Sequence, residues 1–171
     1  GNHLLTTSDS IQVHGAQTSG EIEYVLIWHQ GELLITTGSD HTDRQLEAHS
    51  IPKAKNLCLN VMASDLWPWE EIKDHWERIS LTCHVLTQDS WQVYQQDKVG
   101  SLLPPAYWIQ DLSTRLGELS QGLVLFSGTI GTKAGLVSGD AYSLSMQDPV
   151  LDRSIQHTYT CKVLTGAIEE Y

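Results

Sequence analysis

Positive charge is scarce in this chain. Ten Lys and Arg stand against 21 Asp and Glu in 171 residues, a formal net charge of -11. Nucleic-acid backbones are bound by clustered cations, so this balance argues against a nucleic-acid partner and favours a divalent cation. Cysteine is scarce too. Cys58, Cys83 and Cys161 are odd in number and far apart, without a CxxC pair or zinc-ligand spacing. They are expected to be small core hydrophobes in a reducing, cytoplasmic compartment. No apolar run approaches the roughly 18 residues of a membrane span, and no basic-then-apolar leader opens the chain, so neither a membrane partner nor secretion is expected. Repeats, low-complexity tracts and linkers are lacking, which predicts a single domain over 1–171. The start on Gly1 and Asn2 without Met suggests a tag remnant and an omitted preceding segment. Two motifs are missing as well: GTIGTKAG lacks the spacing of a phosphate-binding GxxxxGK[ST] loop, and FSGT is not a GxSxG nucleophile elbow.

What is present is mostly strand. The run EIEYVLIW from Glu21 is apolar on both faces and predicts a central strand; HQGE turns at Gly31, and Leu33 to Thr37 return as a hairpin arm. DRQLEAH predicts a short helix capped by Thr42, followed beyond Pro52 by irregular chain. Pro68 opens a predicted helix through WPWEEIKDHWERI, with Trp67, Trp69 and Trp76 as core or a subunit contact and His75 paired with Glu71 on its surface. A second hairpin spans Ser80–Leu86 and Trp91–Tyr94, and a helix led by Pro104 and Pro105 runs to about Leu116. LVLFSG leads into a glycine-rich loop, and AYSLSMQ and RSIQHTYTCKV close the chain as paired strands. These elements predict an α+β fold with a β-rich core and short peripheral helices.

Glu21 and Glu23 are two residues apart, which on a strand sends both side chains to one face, about 6 to 7 Å apart. A solvent-facing strand end is the simpler account of such a pair. However, Val25 and Ile27 continue the same face, so the carboxylates sit at the lip of a buried surface, where like charges are costly unless paired or metal-bound. The hairpin returns Asp40 to the same end, and three carboxylates without cysteine select Mg2+, Mn2+ or Ca2+ over Zn2+. His41, inside this acidic stretch, is the candidate proton shuttle or ligand support.

GSDHTDRQLEAHSIPKAKNLC and DPVLDRSIQHTY, together with the ordered ExE, SGT and GD, resemble the fumarylacetoacetate hydrolase superfamily, in a branch known only as a domain of unknown function. The resemblance runs from about residue 6 over nearly the whole chain. It implies a mixed β-roll like that superfamily's C-terminal domain, assembled as a homodimer. It also implies Mg2+ or Mn2+ on Glu21, Glu23 and Asp40, a small oxo-acid substrate, and Arg44, Glu47, Lys55 and Thr129 as substrate-binding residues. SDHTDRQLE departs from the NDxSxRDxQ pattern at Ser39, Gln45 and Glu47. The superfamily's general base is a histidine upstream of the ExE; His14 lies in different surroundings. The expectation is that the segment bearing that base lies outside this sequence, that His41 has taken over, or that the branch does different chemistry, with His41 and Lys55 as the catalytic candidates. The implied activity is a metal-dependent hydrolase or lyase of a 2-oxo acid or 1,3-dicarbonyl compound, by C–C cleavage, decarboxylation or isomerisation. The alternatives are a binding protein that keeps the pocket without a base, and a scaffold whose acidic cluster only supports a dimer.

Overall fold

A computed structural model describes residues 2–164; Gly1 and residues 165–171 of the expected 1–171 domain lie outside the described residues. In chain order the strands are β1 (Leu5–Thr6), β2 (Ser10–Val13), β3 (Thr18–Ser19), β4 (Ile22–His29), β5 (Glu32–Asp40), β6 (Thr42–Asp43), β7 (Asn60–Met62), β8 (Trp67–Pro68), β9 (Ser80–Thr87), β10 (Ser90–Lys98), β11 (Leu123–Phe126), β12 (Ala141–Asp148) and β13 (Arg153–Val163). The helices are α1 (Arg44–Glu47), α2 (Ile51–Leu57), α3 (Trp69–Ile72) and α4 (Pro105–Leu116). The result is the α+β mixed β-roll anticipated above, with short helices at its periphery. Among the described residues no helix is long and apolar enough to cross a membrane.

The central hairpin forms where the pattern placed it. Gln30 and Gly31 both take positive φ between β4 and β5, the geometry of a two-residue turn whose twist matches the flanking strands. One sheet runs β1-β7-β5-β4-β11, with β8 also on β5; a second runs β10-β9-β12-β13-β2, and β3 pairs with β6. Alternation decides which side chains meet between the two large sheets. Ile22, Tyr24, Leu26 and Ile35 from the first pack with Leu81, Cys83, Leu144, Met146, Ile155 and Tyr159 from the second, all buried.

Several local expectations are corrected. The cap of α1 is Asp43, whose carboxylate accepts the Leu46 N–H, while the Thr42 hydroxyl donates to Asp40 O. The stretch beyond Pro52 is helical, because proline fits the first turn of a helix where its missing N–H has no partner to lose. The tryptophan helix breaks into α3 and a 3-10 stretch, Lys73–Arg78, with a kink at His75. The kink turns His75 to Asp148 (3.0 Å) and leaves Glu71 to Arg153 (2.7 Å), so His75 and Glu71 do not pair. Trp67 and Trp76 are buried as core, with Trp69 packed edge-on against Trp76.

Candidate metal centre

The β4–β5 register converts sequence spacing into a site. Glu23 stands opposite Gly38, and Asp40 N donates to Glu21 O, which extends the ladder by one pair. Glu21, Glu23 and Asp40 therefore share one face at one end of the sheet, and a carboxylate oxygen from each lies within 4.8 Å of the others. Oxygens held 2.0–2.6 Å from a common ion lie no more than about 4–5 Å apart across it, so this spacing suits a single hard cation.

The surroundings sharpen that fit. Glu23 is buried, and burial pushes its carboxyl up to about 8, only partly offset by the Gly128 N–H donating to Oε2 at 2.7 Å. Asp40 is also raised by burial; its Oδ2 accepts from Lys55 at 2.7 Å, and its Oδ1 is buried without a hydrogen-bond partner. Glu21 accepts from Lys55 Nζ at 2.8 Å and from Arg44 Nη1 at 2.9 Å, and Arg44 Nη1 also meets Glu47 at 2.7 Å. When ionised, the four carboxylates of Glu21, Glu23, Asp40 and Glu47 exceed the two cations Arg44 and Lys55 by two charges, which is one divalent ion. An orphaned acceptor and an uncompensated buried carboxylate are suited to a bound cation.

Lys55 reaches this cluster from α2, the helix not anticipated in the sequence. Burial opposes its charge, but hydrogen bonds to Asp40 and Glu21 outweigh that and hold its pKa above the usual lysine value. It is thus held as a cation that donates hydrogen bonds to both carboxylates. Arg44 Nε donates to Ser19 Oγ at 2.7 Å, while Nη2 is buried without a partner. Thr129 is tied to the peptide between the two glutamates. Its hydroxyl donates to Ile22 O and accepts from Gln95 Nε2, both at 2.8 Å. Gln95 Oε1 in turn accepts the Ile22 N–H at 3.0 Å, so both backbone polar groups of Ile22 are fixed. The sequence did not point to Gln95, which lies in the polar run YQQDK of a strand from the other sheet. Asn60, the cross-strand partner of Asp40, was missed too; its Oδ1 is buried and unpartnered.

His41 departs from its expected role. Successive residues of a strand point to opposite sides, and His41 is fully buried among Tyr142, Tyr159 and Thr18. Tyr159 donates to Ser39 Oγ, so its oxygen accepts from His41 Nδ1 (3.0 Å), and His41 Nε2 then accepts from Thr18 Oγ1 (2.9 Å). With both nitrogens engaged and burial, aided by the Arg44 charge, pushing its pKa down to about 3, the ring supports the core and has no nitrogen free for a substrate proton. A base whose folded pKa is depressed stabilises the fold above its unfolded pKa of about 6.5 and loses that contribution as pH falls toward 3. The stability gap between wild type and His41→Gln should therefore narrow as pH is lowered from 6.5 to 4 in denaturant titrations. A gap independent of pH would mean that His41 ionises without cost.

Solved structures share this fold. A 2-keto-3-deoxy-D-arabinonate dehydratase complexed with magnesium and 2,5-dioxopentanoate superposes with a TM-score of 0.68 at 17% identity, covering 92% of this chain and 57% of that one. Yeast ynq8, a fumarylacetoacetate hydrolase family protein, gives 0.65 at 15% identity over 95% of this chain and 86% of its own. Cg1458 gives 0.67 at 11% identity over 94% and 66%. The fold is that of the fumarylacetoacetate hydrolase family, and the chain spans a little over half the length of the dehydratase. A family model described as "Protein of unknown function (DUF2848)" matches residues 1–159, and the chain belongs to that family. No curated protein matches it.

Proposed function

We propose that the protein is a metal-dependent hydrolase or lyase acting on a small 2-oxo acid or 1,3-dicarbonyl compound. The observation that carries this reading is the convergence of Glu21, Glu23 and Asp40 within 4.8 Å, with Asp40 Oδ1 buried and unpartnered. These three side chains would hold Mg2+ or Mn2+, and the ion would supply Lewis-acid stabilisation for negative charge developing on the substrate's oxygens. Lys55 and Arg44 would orient the substrate's carboxylate, Lys55 through its persistent ammonium and Arg44 through its unpartnered Nη2. Gln95 and Thr129 keep the Ile22 peptide, and with it both glutamates, in register.

A second reading, a binding protein without turnover, is favoured by one observation: His41 is sealed in the core with both ring nitrogens hydrogen-bonded. The first test is thermal melting with and without Mn2+ or Mg2+. Metal at a hundred times its dissociation constant should stabilise the native state by about 2.7 kcal/mol, roughly 5–10 °C for a chain of this length, reversed by chelation. No shift at millimolar metal would refute both readings. A shift without consumption of any 2-oxo acid would leave the second.

A further inference from the structure

Two orphaned acceptors are cross-strand neighbours at the metal centre. Asn60 of β7 is the register partner of Asp40 in the antiparallel β5–β7 pair. Directly opposed residues of such a pair put their side chains on one face, with Cβ atoms about 4.5–5.5 Å apart. Asn60 therefore rises from the face that carries Glu21, Glu23 and Asp40. Its neighbour on the other side, Leu5 of β1, has no polar side chain to offer it. Asp40 Oδ1 and Asn60 Oδ1 are both buried, and both are without a hydrogen-bond partner. A buried acceptor left unbonded is costly, and two on adjacent side chains call for one donor or cation that serves both.

The ligand count points the same way. Hard divalent ions take six or more oxygens. Several carboxylate oxygens of the cluster already accept hydrogen bonds: Glu21 Oε1 from Arg44, Glu21 Oε2 and Asp40 Oδ2 from Lys55, and Glu23 Oε2 from the Gly128 N–H. Three carboxylates so engaged leave positions on the ion for water or substrate, and a bound water has protons to donate. A carboxamide oxygen accepts such a proton without adding charge. The excess of two negative charges that matches one divalent ion is thereby kept.

We infer that Asn60 is a positioning residue of the metal centre: its Oδ1 accepts from a water on the ion held by Glu21, Glu23 and Asp40. This rests on the proposed function and deepens it by adding a neutral side chain to the site. The test is calorimetric titration with Mn2+, together with melting of the metal-free protein in chelator. Asn60→Leu stays close in volume and removes the acceptor. It should bind Mn2+ about 10–100-fold more weakly, the loss seen for groups that support a metal's ligands. Without metal it should melt no lower than the wild type, because an apolar group in place of an orphaned acceptor removes a desolvation cost. Asn60→Asp keeps the oxygen and should hold Mn2+ at least as tightly as the wild type. Unchanged affinity in Asn60→Leu overturns the inference and returns Asn60 to the cavity of about 450 Å3 that it also lines with Ser120 and Gln121. An equal loss in both variants overturns it as well, since that marks a packing defect. So does a lower melting temperature of metal-free Asn60→Leu, which would mean that the carboxamide is bonded without metal. Failure of the wild type to bind Mn2+ removes the reading beneath it instead.

Discussion

Glu23→Gln should abolish tight divalent-metal binding while stabilising the metal-free protein. Loss of residues that merely support metal ligands weakens binding about 10–100-fold, so removing a charged ligand should weaken it by at least about a hundredfold. The opposite sign for the metal-free fold follows from burial, which pushes the Glu23 carboxyl up to about 8 from its ordinary value of 4.5. A carboxyl whose folded pKa is raised favours folding in its protonated form, and that advantage is lost as pH climbs from 4.5 toward 8. Above pH 6.5 the opposing His41 contribution is constant, so between pH 6.5 and 8, with chelator present, the wild type should lose about 2 kcal/mol of stability through Glu23. Glutamine carries no charge to desolvate, and its profile should be flat across that window. Residues that sacrifice stability for a site behave in this way. Equal metal affinity in titration calorimetry would refute the ligand assignment, and a parallel pH profile would refute the burial argument.

Gly38→Ala should be strongly destabilising. A Cβ there would lie 2.6 Å from Val61 O, 2.8 Å from Phe126 Cε1 and 2.9 Å from Val25 Cγ2. Overpacking of flexible side chains costs about 1–3 kcal/mol, but a backbone carbonyl in a sheet ladder cannot swing aside. The expected loss is about 3 kcal/mol or more, a fall in Tm of roughly 6–12 °C. Gly131→Ala is the control: an added Cβ there meets nothing within 4 Å, and its effect should stay within about 0.5 kcal/mol. Because Gly38 pairs with Glu23, the damaged variant should also bind metal more weakly. Equal melting of the two variants would show that the sheet absorbs the methyl group.

Much of this fold was legible wherever a single local period governed the chain. The β4–β5 hairpin, the β12–β13 pair and α4 follow from alternation, turn chemistry and proline placement, each a matter of neighbouring residues. The two-residue strands β1, β3, β6 and β8 were not legible, since so short a segment has no period and exists only because a partner strand supplies its hydrogen bonds. The site divides in the same way. Glu21 and Glu23 share a face because a strand repeats every two residues, and Asp40 joins them because a hairpin returns its end. These relations were contained in the sequence. The burial that raises Glu23, the inward turn of His41, the reach of Lys55 from α2 and the Gln95 clamp from the opposite sheet were not. Each depends on which surfaces two curled sheets present to one another, a long-range packing outcome that no local pattern encodes.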